Sequence, residues 1–516
     1  MKLERSAGII LHPTSLPGPD GIGDLGPTAY SWVQFLNESG CHLWEILPLG
    51  PTGYGDSPYQ CFSAFAGNIY LISPILLVDS GILDEKDLSD RPDLPDEYVR
   101  YGEVIKWKTL LLDRAFSKLG TGSFPEITAD YRIFCKKNVK WLDDFALFMA
   151  IKESFGGVSW ENWPVGLRQR DETDLINFVK THVREIEKHK FRQYLFFKQW
   201  YDLKAYAKKK EVSIIGDIPI FVSYDSADVW SHPELFHLDA QGKPSVVAGV
   251  PPDYFSPTGQ LWGNPLYDWD AHLKQNYQWW KDRLRSSFDL YDFIRLDHFR
   301  GFAGYWEVSY GMPTAEVGNW IKGPGIPFFE NLRGTLGELP IIAEDLGVIT
   351  PDVVQLRDNL GFPGMKIFQF AFSSDPSDPF LPHKYPEGCI AYTGTHDNDT
   401  ALGWYNSAPE EERDFIRRYL ARSGEDISWD MIRAVWSSVA VFALAPLQDV
   451  LKLDSEARMN FPGKPYGNWT WRFTPSMLTE QVRQRLYEVN YLYERLFPDQ
   501  LPKHVPKADV SYLPKS

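Results

Sequence analysis

Three acidic residues each close an apolar run: Asp297 in Phe293-Ile294-Arg295-Leu296-Asp297-His298, Glu344 after Ile341-Ile342-Ala343, and Asp397 in Tyr392-Thr393-Gly394-Thr395-His396-Asp397-Asn398. A carboxylate at the C-terminal end of a buried strand is where a parallel barrel keeps its chemistry, and a nucleophile with a proton donor is what glycosidic bond cleavage requires. Strand side chains alternate, so Arg295 and Asp297 face the same way. An arginine there favours the ionised carboxylate, as a nucleophile needs; the plainer alternative is a structural ion pair at a strand end. Glu344 follows three apolar residues in a place where other carboxylates crowd it, which holds its proton more tightly and suits a general acid. Its neighbour Asp345 competes for that part, although the longer glutamate reaches further, and helix capping would explain either acid. Asp397 fits a third acid that grips sugar hydroxyls and helps distort the ring, with His396 as partner. His396, Asp397 and Asp399 make a weak metal set, because no second histidine stands at ligand spacing and no calcium loop is present.

Eight apolar runs ending in polar or turn residues, with helical patterns between them, must carry these acids. They lie near Ala7 to His12, His42 to Leu47, Val212 to Ile218, Tyr291 to Asp297, Pro340 to Glu344, Lys366 to Phe370, Ile390 to Thr393 and Ala440 to Leu447. The predicted fold is α/β, a (β/α)8 TIM barrel with large inserted subdomains and no separate C-terminal β domain, residues 1–516 forming a single catalytic barrel. Unequal gaps predict a mostly helical insertion over 52–210 after strand 2, with helical stretches at Trp107 to Lys118 and Arg192 to Lys210. They also predict a loop-rich insertion over 225–285, covering the site after strand 3. Met477 to Phe497 has the spacing of a last barrel helix, and the tail from Pro502 is expected to be only partly ordered.

A formal charge of -16 argues against a polyanionic partner, so no nucleic acid is expected. The aromatic share of 15 %, with 19 Trp and 26 Tyr, suits a neutral sugar, whose pyranose faces stack on flat rings. Four cysteines without a Cys-x-x-Cys pair make a disulfide framework or structural zinc improbable. No apolar leader and no run of roughly 18 apolar residues is seen, which predicts a cytoplasmic protein with no membrane partner.

One motif points elsewhere. Gly21-Ile22-Gly23-Asp24-Leu25-Gly26 satisfies G-x-G-x-x-G, with Glu45 at about the distance of a ribose contact. Three prolines between Pro13 and Pro19 separate it from its strand, however, and Pro27 fits a first helical position that leaves Gly26 outside the helix. A turn-rich first barrel loop is therefore expected in place of a dinucleotide site.

The three acids sit within motifs that closely resemble the amylomaltases, the 4-α-glucanotransferases also called disproportionating enzymes, of the α-amylase clan. The resemblance runs almost end to end. It passes through Leu16-Pro17-Gly18-Pro19-Asp20-Gly21-Ile22-Gly23, Gly53-Tyr54-Gly55-Asp56-Ser57-Pro58-Tyr59-Gln60, Gly216-Asp217-Ile218-Pro219 and Val250-Pro251-Pro252-Asp253-Tyr254-Phe255-Ser256. It continues through Gln260-Leu261-Trp262-Gly263-Asn264-Pro265, Arg295-Leu296-Asp297-His298, Ala343-Glu344-Asp345-Leu346-Gly347 and Gly394-Thr395-His396-Asp397-Asn398-Asp399-Thr400. The resemblance implies Asp297 as nucleophile, Glu344 as acid/base and Asp397 as transition-state stabiliser. It implies that Arg295, His298, His396 and Asp217 line the donor sugar with Tyr59 close by. Tyr254 and Phe255 would lie on a loop over the acceptor side, with Trp262 and Asn264. No cofactor is implied. The implied partners are maltooligosaccharides and starch- or glycogen-derived α-1,4-glucans, with glucose as acceptor, and Tyr54, Tyr254, Phe255 and Trp262 are expected as sugar platforms near the barrel mouth.

The nearest rival is an α-1,4-glucan hydrolase using the same acids. A non-catalytic carbohydrate-binding barrel and a metal-dependent barrel hydrolase are the more remote alternatives.

Overall fold

A computed structural model of the chain describes residues 3–119, 124–252, 256–464 and 466–501. Twelve strands among the described residues are numbered in chain order. Eight of them, β1 (Ser6–Ile10), β2 (Leu43–Glu45), β3 (Ser213–Ile218), β6 (Phe293–Leu296), β9 (Ile341–Ala343), β10 (Met365–Ile367), β11 (Ile390–Tyr392) and β12 (Phe442–Pro446), form one parallel sheet in the order β10-β11-β12-β1-β2-β3-β6-β9. A parallel bridge between Ala343 and Gly364 joins β9 to the residue before β10 and closes the ring. Helices cover the outside and side chains fill the inside, so these strands are buried on both faces and read as unbroken apolar runs. Close strand approach explains Gly8 in β1: a Cβ there would lie 2.3 Å from the Leu43 carbonyl oxygen of β2.

All eight predicted strands are present, and one is misplaced along the chain. The run Lys366 to Phe370 yields β10 one residue early, after which Phe368–Phe372 winds into a 3-10 helix. A short, fully buried aromatic run carries no periodicity to separate strand from helix. The last helix, Glu480–Leu492, is shorter than the predicted 477–497, because the Thr479 hydroxyl accepts from Val482 N–H at 3.3 Å and starts it there. The tail from Pro502 lies outside the described residues.

Between β2 and β3 stand the helices Tyr101–Leu119, Pro125–Ser154, Glu172–Thr181 and Val183–Lys209. The second and fourth pack along an aromatic seam in which Tyr131 meets Tyr194 at 5.8 Å and Phe134 meets Phe197 at 5.5 Å. The C-terminal half of Val183–Lys209 lies on the barrel itself, where Tyr206 rests on Tyr30 and Trp200 donates to the Leu290 carbonyl.

A small antiparallel sheet has the order β5-β4-β7-β8, with β4 (Val246–Val250) and β5 (Gln260–Pro265) from the segment after β3 and β7 (Gly304–Ser309) and β8 (Asn319–Lys322) from the segment after β6. Two segments of the stretch 225–285, read as loop-rich, are therefore strands. The pairing of β4 with β7 joins residues far apart in sequence, which local patterning does not reveal.

The Gly-rich motif is structural. Gly26 precedes the helix Pro27–Glu38, and its N–H is taken by Asp24 Oδ1 at 2.9 Å, so the protein's own carboxylate occupies the place a phosphate would use. A Cβ on Gly23 would lie 2.0 Å from the Pro13 carbonyl oxygen, which makes glycine the residue that lets the loop fold back on itself. Among the described residues no helix is long and apolar enough to cross a membrane.

Candidate active site

The C-terminal ends of β3, β6, β9 and β11 bring Asp217, Arg295, Asp297, Glu344, His396 and Asp397 to one mouth of the barrel. Neighbouring strands fix the spacing: Asp297 N–H donates to the Ile218 carbonyl at 3.0 Å and Glu344 N–H to the Leu296 carbonyl at 3.2 Å. Asp297 and Glu344 thus leave adjacent strand ends side by side.

Arg295 organises the acids. Its Nη2 donates to Asp297 Oδ1 at 2.8 Å, while Nη1 donates to Asp217 Oδ2, which also accepts the Tyr59 hydroxyl at 2.6 Å. Arg295 and Asp217 are almost wholly buried, whereas the Asp297 side chain is 27 % exposed. Burial opposes the guanidinium charge, but Asp217, Tyr59, Asp297 and Glu344 more than offset it and hold Arg295 above its ordinary range. Breaking a buried pair of this kind by removing one partner costs about 3–5 kcal/mol, so Arg295 and Asp217 stand or fall together.

Glu344 lacks a cationic partner of that kind. Its oxygens accept from two main-chain N–H groups, His298 at 2.7 Å and Leu346 at 3.0 Å. His298 reaches this position in the left-handed region, φ 49°, a conformation that non-glycine residues rarely hold and that here aims its N–H at the carboxyl. Burial and then the charge on Asp297 push the Glu344 proton affinity up. Burial raises that of Asp297 as well, to about 7, with Arg295 opposing the rise and Asp217 and Asp397 adding to it. Of the two, only Asp297 has the guanidinium in direct contact, which favours its anion over that of Glu344.

Asp345 leaves the opposite face of β9. Its carboxylate takes the Arg357 guanidinium and the Met365 N–H at 2.7 Å, clamping β9 to β10 and a barrel helix. Asp345 is thereby engaged away from Arg295 and Asp297, beside which Glu344 lies. Asp399 is also occupied elsewhere, by Thr400 N–H and the Ser455 hydroxyl. Among the described residues no group of three or more His, Cys, Asp or Glu has the geometry to hold a metal ion.

His396, Tyr59 and Trp469 form an aromatic group beside Asp397. Tyr59 and His396 stack at 5.3 Å and 13°, and Trp469 tilts against both. Burial lowers His396 to about 4, so the ring is neutral, with Nε2 3.4 Å from Asp397 Oδ1. Trp262 meets the His298 ring edge-on at 4.8 Å and stays partly exposed. Asn264 is buried one register along β5, its amide donating to the Val222 carbonyl at 2.9 Å, so it braces the loop after β3. Tyr254, Phe255 and the Tyr54 side chain lie outside the described residues.

Several contributors had no signal in the sequence. Asn460 donates to Asp397 Oδ1 at 2.6 Å, its own N–H donates to the His396 carbonyl at 3.1 Å, and Arg458 donates to the Asp397 carbonyl at 2.6 Å. They approach from a loop more than a full strand-helix unit away, and no local motif marks them. Glu45, noted as part of the nucleotide motif, instead ends β2 inside the barrel. There it accepts the Tyr392 hydroxyl at 3.0 Å, and burial pushes it up to about 7 against the pull of Arg295.

The chain was compared with known proteins. A family model described as 4-alpha-glucanotransferase matches residues 11–479. The chain is 49 % identical to the 4-alpha-glucanotransferase of Thermus thermophilus over 96 % of this chain and all of that one. It is 44 % identical to the chloroplastic/amyloplastic 4-alpha-glucanotransferase of Solanum tuberosum, over 95 % of this chain and 87 % of that one. In three dimensions it is similar to the amylomaltase from Streptococcus agalactiae in complex with acarbose, with TM-score 0.93, 40 % identity, and coverage of 96 % of this chain and 100 % of that one. With a parallel barrel that gathers its acids at one mouth, and with relatives matched along nearly their whole length, the chain belongs to the 4-alpha-glucanotransferase family.

Proposed function

We propose that this chain moves a segment of an α-1,4-glucan to the 4-hydroxyl of an acceptor glucose or glucan by a retaining double displacement through Asp297. The observation that carries this is the unequal treatment of two neighbouring carboxyls: Arg295 is paired with Asp297 at 2.8 Å, and Glu344, beside it, has only main-chain N–H partners. One is prepared as an anion and the other as a proton donor.

With Asp297 Oδ1 held by Arg295, the other oxygen attacks the anomeric carbon. The bond from that carbon to the glycosidic oxygen breaks as Glu344 delivers its proton to the leaving oxygen, giving a β-linked glycosyl ester. Glu344, now a carboxylate, takes the proton of an acceptor 4-hydroxyl, whose oxygen displaces Asp297 and restores an α-1,4 link. Asp397 and the neutral His396 would hold hydroxyls of the reacting sugar. Asp217, Arg295, His298 and Tyr59 would line the donor side; Trp262 and Asn264, with Tyr254 and Phe255, would serve the acceptor side. Transfer outruns hydrolysis when the acceptor sugar is already aligned and water is kept from the ester. We read the compartment as cytoplasmic, in keeping with four cysteines that are all free thiols.

Incubation with maltotriose alone tests this: a ladder of products longer than the substrate, together with shorter ones, is expected on chromatography. Products that are only shorter would establish a hydrolase in its place.

Asn460 is expected to position Asp397. Asn460→Ala should lower kcat about tenfold while changing KM little, the scale of one hydrogen bond to a charged group. Asn460→Asp, which sets a like charge against Asp397, should lower it further. Equal losses in both variants, tracking a lowered melting temperature, would reduce Asn460 to a structural part.

A further inference from the structure

Of the 19 tryptophans, Trp320 on β8 is the most exposed, at 46 %. An exposed indole costs hydration free energy, and this one is also held still. The Arg300 guanidinium lies over its ring at 4.0 Å, and Trp306, its cross-strand partner on β7, meets it edge-on at 5.3 Å. With one face taken by the guanidinium, the exposure belongs to the other face. Arg300 is itself fixed, buried and donating through Nη1 to the Val348 carbonyl.

These supports tie the ring to the mouth of the barrel. Arg300 lies in the 3-10 helix Phe299–Phe302 directly after His298, and Val348 lies in the loop directly after Glu344. Within the same few residues Trp262 packs on His298. Two tryptophans of one small sheet, on its opposite edge strands β5 and β8, thus reach the segment that follows the candidate nucleophile. The inner face of that sheet is spent on the barrel, where Tyr305 packs on Phe221 at 6.2 Å, and Trp306 and Trp320 belong to the outer face.

Resting on the glucan-transfer reading above, we propose that the open face of Trp320 stacks on a glucose unit of an α-1,4-glucan several residues beyond the bond being exchanged, on the Glu344 side of the mouth. The ring's support, Arg300, follows His298 by two residues and is held by Val348, four residues after Glu344, and the occupant is the far part of the same chain that the site binds. A ring already fixed by Arg300 and Trp306 loses little rotamer freedom when a sugar settles on it, so the contact favours binding of long chains. Short substrates do not reach it. The ring acts on chain-length preference and touches no reacting atom.

The experiment compares Trp320→Ala and Trp320→Phe with the wild type on maltotriose and on long-chain amylose. For Trp320→Ala, KM for amylose should rise roughly fivefold to tenfold with kcat unchanged, and the maltotriose constants should stay within twofold. Trp320→Phe should recover most of the amylose affinity. An unchanged KM for amylose, or equal losses on both substrates, overturns the platform while wild-type transfer on maltotriose leaves the glucan-transfer reading intact. A wild type that makes no longer products from maltotriose removes that reading, and the platform with it. If Trp320→Ala instead shifts the wild-type elution volume with no change in amylose kinetics, the ring serves a protein contact and the proposal is wrong.

Discussion

Replacing Asp297 by Asn is expected to lower transfer from maltotriose by about 10⁴-fold or more, because the neutral amide neither attacks the anomeric carbon nor leaves as a carboxylate from a glycosyl ester. The substitution keeps the shape of the side chain and removes one negative charge from a crowded cluster. Asp297 raises the proton affinity of Glu344, Asp217 raises that of Asp297, and all three draw on Arg295. Loss of the Arg295 contact at 2.8 Å is therefore set against relief of repulsion, and the melting temperature should move by only a few degrees. Sugar binding should persist, since Asp217, Tyr59, His396 and Asp397 are untouched. Acid quenching during turnover followed by mass measurement should give a glycosyl adduct on the wild type and none on Asp297→Asn. Transfer retained within tenfold in the variant would eliminate Asp297 as the nucleophile.

The site divides into what a strand end can supply and what it cannot. Asp217, Arg295, Asp297 and Glu344 come from β3, β6 and β9, and strand register alone sets them side by side. Asp297 and Glu344 were legible because a barrel strand covered on both faces is a continuous apolar run and an acid at its end stands out, and Arg295 because alternation turns it the same way as Asp297; Asp217 was marked only by the family resemblance. Between Glu344 and Asp345 the sequence offered only the longer reach of the glutamate; that the aspartate is tied to Arg357 and Met365 follows from the packing of a barrel helix and β10, which no local pattern shows.

The clamp on Asp397 was not legible. Asn460 and Arg458 act through a side-chain amide and a guanidinium from a turn after β12, and nothing in Arg458-Met459-Asn460 distinguishes it from any polar loop. Trp469 likewise has nothing in its sequence context that sets it apart from a core aromatic, and it is buried, yet it backs both Tyr59 and His396. The same holds for the small sheet: β4 and β5 pair with strands contributed by a different barrel loop, so its existence depends on a meeting that only the closed barrel arranges. Local sequence specifies elements and their ends; contacts between loops are written by the geometry that brings the loops together.

Glu344→Gln is the counterpart of the first prediction, and it separates proton transfer from nucleophilic attack. With maltotriose, kcat should fall about 10²- to 10⁴-fold, the range of general acid–base catalysis. Wild-type activity should rise with pH as Asp297 ionises and fall again as Glu344 loses its proton. The second limb lies above the ordinary carboxylate range, because burial and the Asp297 charge hold that proton. Glutamine has no proton to lose there, so the alkaline limb should vanish from the variant. An α-maltosyl fluoride donor needs no protonation, since fluoride leaves as an anion; with it the first step should proceed in Glu344→Gln at a rate close to the wild type. The glycosyl ester should then accumulate, because no base remains to deprotonate an acceptor hydroxyl. Azide, an anionic nucleophile that requires no base, should release it as the α-maltosyl azide, the configuration demanded by displacement of a β-linked ester. Failure of the fluoride donor to react in this variant would mean that Glu344 does more than move protons. In that case its two main-chain hydrogen bonds, from His298 and Leu346, would mark it as a structural pin for the end of β6.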